Sequence, residues 1–185
     1  MATVVETKPL TAEEFARRPD PGHPEELVRG EIVAMPQPGA RHGEVCGEAA
    51  FLLTTYVRQH DLGRVLTNDS GVITERNPDT VRGADVAFYS YARLPKGPAP
   101  MGYPAVAPDL VVEVRSPSER WSDLHEKIGE YLKAGVRAVV VLDPEERTAH
   151  VFTDAAAPYS LSPEEELTLP EILGDFRVPV GRFFP

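Results

Sequence analysis

Apolar residues recur along this chain with two rhythms, one of period two and one near 3.6, and the breaks between them fall at Pro, Gly, Asn and Asp. Thr11-Ala-Glu-Glu14 has the form of a capping box, so a short helix is predicted there, ending near Arg18-Pro19. Pro19 to Pro24 reads as a turn-rich linker. Glu26 to Met35 reads as two short strands joined at Arg29-Gly30, closed by Pro36-Gln-Pro-Gly39. From about Ala40 to His60 the spacing is helical, with Val45, Ala49, Leu52, Leu53 and Tyr56 on one side and Gly63 just past the end as a stop. Arg64 to Thr67 and Val72 to Glu75 are predicted to pair as a second hairpin turning at Asn68-Asp-Ser-Gly71. A strand over Gly83 to Tyr89 follows, and the proline-rich stretch from Tyr91 to Pro108 is a loop of a length often used as a lid or substrate-contacting segment. Leu110 to Val114 is a buried strand. Trp121, Leu124, Ile128, Tyr131 and Leu132 mark one face of a helix over about Glu119 to Ala134, stopped by Gly135. Arg137 to Leu142 and Thr148 to Thr153 form a hairpin about the turn Asp143-Pro-Glu-Glu146. Leu167-Thr-Leu, a turn at Glu171-Ile-Leu and a strand at Phe176-Arg-Val-Pro-Val close the chain. A mixed β-sheet flanked by helices, an α/β fold, satisfies that order best.

Composition sharpens the class. Hydrophobic residues make up 42% and charged residues 26% of 185, as in ordinary globular chains, which excludes a fibre or a disordered polymer. One domain over residues 1–185 is expected, with residues 1–10 a flexible tail. The longest strictly aliphatic run, Ala138 to Leu142, is too short for a bilayer, and the first ten residues hold no apolar stretch of the signal-peptide kind. A cytoplasmic location is therefore expected, and the single cysteine, Cys46, fits a reducing compartment and reads as packing on its helix. The net charge of −10 tells against nonspecific coating of nucleic acid, which rests on Lys and Arg. A nuclease with a local basic rim remains compatible with it.

Candidate chemistry centres on Glu113, an acid inside the apolar run Leu110-Val-Val-Glu-Val114. A carboxylate removed from water needs a partner, a proton or a metal. Side chains alternate along a strand, so Asp109, Val111, Glu113 and Arg115 share one face. Asp85, in the earlier strand, can converge with Glu113 if the two strands are neighbours. Two carboxylates, with waters and phosphate oxygens, meet the demand of Mg2+ or Mn2+. Lys127, at the border of its helix's apolar face, is the candidate for handling the attacking water; Arg115 stays protonated and suits a phosphate instead.

Asp85 with Glu113-Val-Arg115 resembles the split signature of the PD-(D/E)xK nuclease superfamily, with Arg115 where a lysine usually stands. Pro108-Asp-Leu-Val-Val-Glu-Val-Arg-Ser-Pro-Ser118, then Asp123, Lys127, Tyr131, Ala-Gly-Val136 and Asp143-Pro144, is similar to the Uma-type family of "putative restriction endonucleases". Glu26-Leu-Val-Arg-Gly-Glu-Ile-Val and Arg41-His42 extend the likeness to roughly residues 10–180. The resemblance implies a restriction-endonuclease-like fold with an additional N-terminal β-hairpin, the lysine moved from the strand to the following helix at Lys127, and metal-dependent cleavage, most simply of DNA. A homodimer is the natural arrangement for cutting two strands.

Each residue also has a structural alternative. Asp85 could cap a strand or pair with Arg82, Glu113 could pair with Arg115 or Arg137, and Lys127 could pair with Asp123 one helical turn away. Asp109 reads as a strand cap, His42 as a core or hydrogen-bonded histidine, Ser118 as a helix cap, and Glu44 and Glu48 as acids flanking the first long helix. At the level of function the alternatives are an inactive nuclease-fold module that binds a protein or small ligand, and a hydrolase of small phosphorylated metabolites.

Overall fold

A computed structural model of the chain describes residues 8–185, so most of the tail expected over residues 1–10 lies outside the described residues. Leu10 itself is docked, its N–H donating to Gly30 O at 3.0 Å. The capping box forms as written. Thr11 Oγ1 accepts from Glu14 N, Glu14 Oε2 accepts from Thr11 N, and helix α1 runs Ala12–Ala16. Strands β1 (Glu25–Val28) and β2 (Glu31–Ala34) form the first hairpin, turning through Arg29 and Gly30 at φ 50° and 80°. Two positive φ values in a two-residue turn match the right-handed twist of the flanking strands.

Helix α2 (Ala40–Gln59) is followed by β3 (Gly63–Glu75) and β4 (Thr80–Ser90), then β5 (Leu110–Val114), α3 (Trp121–Lys133), β6 (Ala138–Asp143) and β7 (Thr148–Thr153). The chain ends with β8 (Tyr159–Leu161), β9 (Glu166–Thr168), α4 (Pro170–Leu173), β10 (Arg177–Pro179) and a 3-10 turn over Val180–Phe183. The main sheet has the order β2-β1-β4-β5-β6-β7-β8, with β3 paired to β4. Among the described residues only β5 and β6 are parallel there, and α3 makes the crossover that a parallel pair requires. The expected α/β architecture, a mixed sheet with helices on its faces and an N-terminal hairpin, is what the chain adopts.

Alternation along β5 explains the layering. Leu110, Val112 and Val114 pack with Val45, Ala49, Leu53 and Val57 of α2 on one face, while Val111 packs with Leu124, Ile128 and Tyr131 of α3 on the other. Each such buried aliphatic side chain contributes about 1.5–3 kcal/mol.

Two expectations are corrected. No hairpin turns at Asn68-Asp-Ser-Gly71; β3 runs straight through and pairs with β4 along its length, and the turn falls at Arg76–Asp79. Asn68 and Asp69 stand at φ 65° and 53° as two residues opposing the single Asp85, between the pairs Thr67–Val86 and Ser70–Ala84. Residues that tolerate the left-handed region serve a bulge as readily as a turn, so the same signal had two solutions. Ser118 does not cap α3, whose N-cap is Arg120 without a side-chain hydrogen bond.

Candidate active site

The edge of β4 that faces away from β3 is shared by two strands. β1 meets it at Val81 and β5 meets it at Val86 to Phe88. In the gap between, Gly83 has no strand to pair with on this edge, and side chains from two other elements take its backbone groups. Gly83 N donates to Glu26 Oε1 at 3.0 Å, and Gly83 O accepts from Lys127 Nζ at 2.8 Å, with the Tyr131 hydroxyl 3.3 Å away. A Cβ at Gly83 would meet Asp69 Cβ at 3.1 Å, so the bulge and the missing side chain fit together.

Glu113 and Lys127 meet in this gap. Lys127 Nζ lies 2.9 Å from Glu113 Oε2 and 3.5 Å from Glu26 Oε1, so its three N–H donors face two carboxylates and one carbonyl. The Tyr131 hydroxyl donates to Glu113 Oε1 at 2.8 Å. Asp85 stands next to them, its Oδ2 accepting from Val114 N at 2.7 Å and lying 3.4 Å from His42 Nε2. The structure thus brings Asp85, Glu113 and Lys127 together around one cleft.

Arg115 lies apart from them. Its Nη1 binds Asp143 Oδ2 at 2.8 Å and lies 3.6 Å from Glu145, the guanidinium sits 5.2 Å from the centre of the Trp121 ring, and it does not line the cleft. Asp109, at the opposite end of β5, accepts from Ser90 N and pairs with Arg93 at 3.2 Å. Arg93 also binds the carbonyls of Ala107 and Pro108, which ties down the long loop; no residue of 91–108 lines the cleft. Glu44 and Glu48 do not line it either. The ion pairs weighed as alternatives resolve differently from each expectation: Arg82 binds Glu26 and Glu130, Arg137 approaches Asp109, and Asp123 pairs with Arg120.

The cleft encloses about 290 Å³. Glu25, Glu26, Asp69, Asp85, Glu113, Glu119 and Asp123 line it against one lysine and one histidine. That imbalance moves the titrations. Burial pushes Glu113 up to about 8, against the pull of Lys127. Burial, with Asp85 nearby, also raises Asp69, and burial raises Glu119. Asp85 stays below the ordinary carboxylate value, because His42, Lys127 and the Val114 N–H outweigh its burial. Lys127 is held above its ordinary value by Glu113, Glu26 and Asp85 in spite of burial, and the bond to Asp85 raises His42.

A cleft of hard oxygen donors with one open side suits a divalent cation that takes one or two carboxylates and keeps its waters. Both Glu113 oxygens are hydrogen-bonded, but each carboxylate oxygen has a second lone pair to offer. Asp85 and Glu113 therefore fit Mg2+ or Mn2+. Sequence reasoning gave little weight to four residues that shape the cleft: Glu26, Asp69, His42 and Tyr131. Tyr131 left a signal in its spacing, four residues after Lys127 on the same side of a helix, whereas Glu26 and His42 stood out only through the family resemblance. Glu26 and Asp69 depend on a strand edge and a bulge that no local pattern announces.

A mixed sheet with α2 on one face and α3 on the other, and an acidic cleft where a strand edge is left open, defines a restriction-endonuclease-like architecture. The same architecture occurs in a crystal structure titled as that of "a putative nuclease belonging to DUF820" from Anabaena variabilis. It superposes with a TM-score of 0.79 over 95% of this chain and 98% of that one, at 21% identity. The Uma2 family model, described as "Putative restriction endonuclease", matches residues 12–181, and the chain belongs to that family. No curated protein matches it. Among the described residues no helix is long and apolar enough to cross a membrane.

Proposed function

We propose that this chain is a metal-dependent endonuclease hydrolysing phosphodiester bonds of DNA, with Asp85 and Glu113 holding Mg2+ or Mn2+ and Lys127 positioning the attacking water. The observation that carries the reading is the 2.9 Å contact between Lys127 and Glu113 beside Asp85. It supplies from α3 the cation that a PD-(D/E)xK strand supplies itself. A bound divalent ion would polarise the phosphate and offset the charge that builds on the leaving oxygen. Lys127 orients water and stabilises phosphate charge by giving up its longest contact, the 3.5 Å one to Glu26; its raised pKa unfits it as a base. Glu113 and Asp85 hold the cation, and Tyr131 fixes the Glu113 rotamer. Arg115 has a buried Nε without a hydrogen-bond partner among the described residues, and a phosphate contact from it requires exchange of Asp143 for substrate. Two cuts in a duplex call for two such sites, which a homodimer supplies.

The test is cleavage of single- and double-stranded DNA with Mg2+ or Mn2+, wild type beside Asp85→Ala, Glu113→Ala and Lys127→Ala. Each variant is expected to lose at least about 100-fold in rate, as removal of one transition-state contact typically does. Cleavage that survives in all three sinks the assignment. The seven carboxylates of the cleft favour a second reading, a binding module without catalysis. A wild type that neither cuts DNA nor binds Mn2+ supports that module.

A further inference from the structure

Cys46 lies one helical turn beyond His42 on α2, and both face Asp85. His42 Nδ1 is 3.4 Å from Cys46 Sγ, and His42 Nε2 is 3.4 Å from Asp85 Oδ2. One donor atom from each of the three residues lies within 4.8 Å of the others. The proposed nuclease chemistry uses neither His42 nor Cys46.

We propose that His42, Cys46 and Asp85 form a second cation site, distinct from the Asp85–Glu113 position and selective for a thiophilic divalent ion of the Zn2+ or Co2+ kind. Imidazole and thiolate favour such ions over Mg2+, which prefers oxygen donors. Three protein ligands with a fourth side open is the arrangement of reactive rather than purely structural sites. Metal–ligand bonds of about 2.0–2.3 Å place tetrahedral neighbours roughly 3.3–3.6 Å apart, so the set, within 4.8 Å without an ion, closes when the imidazole turns to present one nitrogen. Its members are held in place beforehand. Val45 and Ala49, both buried, seat α2 on the sheet, and the Val114 N–H fixes the Asp85 carboxylate at 2.7 Å. Burial and Asp85 keep the Cys46 thiol protonated without a cation. Binding forms one sulfur–metal bond, breaks the S–H bond and releases its proton to solvent, with no change of oxidation state.

Cys46 is the only cysteine in the chain, which makes the test clean. Titration of the protein with Co2+ is expected to raise a near-ultraviolet thiolate-to-cobalt charge-transfer band that saturates at one ion per chain. Cys46→Ser abolishes the band. His42→Ala and Asp85→Asn weaken Co2+ binding at least about tenfold. Glu113→Gln, which removes a ligand of the proposed nuclease ion, leaves the band in place; this separates failure of the nuclease reading from failure of this one. A wild type with no such band overturns the proposal even if a variant fails to fold, as does a band that persists in Cys46→Ser.

Discussion

Glu113 is a buried acid whose two oxygens are committed to Lys127 and Tyr131. Lys127→Met keeps most of the side-chain length and removes the charge. Breaking a buried pair costs about 3–5 kcal/mol, and the readiness of Glu113 to take a proton puts the expected loss near the lower figure at neutral pH. Burial acts on Glu113 with a definite sign. The unfolded chain ionises near 4.5, while the folded chain keeps its proton toward about 8. Between those values the folded state loses stability as pH rises, and below 4.5 the contribution vanishes. The deficit of Lys127→Met is thus expected to be flat across that window, where Glu113 is protonated in both folded forms, and to grow above about 8 in urea titrations. A deficit independent of pH contradicts it. A cation that ligates Glu113 must displace the same proton. Mn2+ affinity in calorimetry is expected to rise with pH to about 8 and level off above it. The convergence of Asp85, Glu113 and Lys127 was legible in the sequence because strand alternation and helix periodicity set their directions. The bond between His42 and Asp85 was not, since a histidine near the start of a helix packs against whatever strand lies beneath it.

At the level of elements, the two long helices, their stops and most strands followed from periodicity and capping. The failure at Asn68-Asp-Ser-Gly71 has a physical cause: left-handed residues are local, but whether they turn the chain or bulge it depends on which strand lies alongside. The bulge carries Asp69 into the cleft and sets Asp85 opposite it. Asp69→Gly suits φ 53° and is expected to change stability by less than about 0.5 kcal/mol. Asp69→Val puts a β-branched side chain in the left-handed region and is expected to cost about 1–3 kcal/mol. Thermal melts of the pair check this, and equal losses would falsify the bulge as the cause.

For the whole molecule, the net charge of −10 was legible, but its distribution was not. A basic rim around the acids was the arrangement a nuclease led one to expect, and the cleft is instead acidic, with Arg82, Arg93 and Arg115 bound to carboxylates. Within the cleft lining only Lys127 and His42 can meet phosphates directly. DNA binding, followed by fluorescence anisotropy, is therefore expected to need a divalent ion and to be lost in EDTA. Its salt dependence is expected to be shallow, with a slope well short of the one given by roughly 6–10 phosphate contacts. Tight, steeply salt-dependent binding in EDTA would contradict the charge map.

Gly83 leaves a backbone donor and acceptor facing a gap in the sheet, and Glu26, Lys127 and Tyr131 occupy it in place of a strand. Selection for folding alone therefore retains these three, whether or not a descendant still cuts anything. Asp85 is retained with them through its bond to the Val114 N–H, so mutational decay of a silenced copy would begin elsewhere, at His42. Lys127 in a relative therefore records that the sheet stayed closed and is by itself no sign of activity.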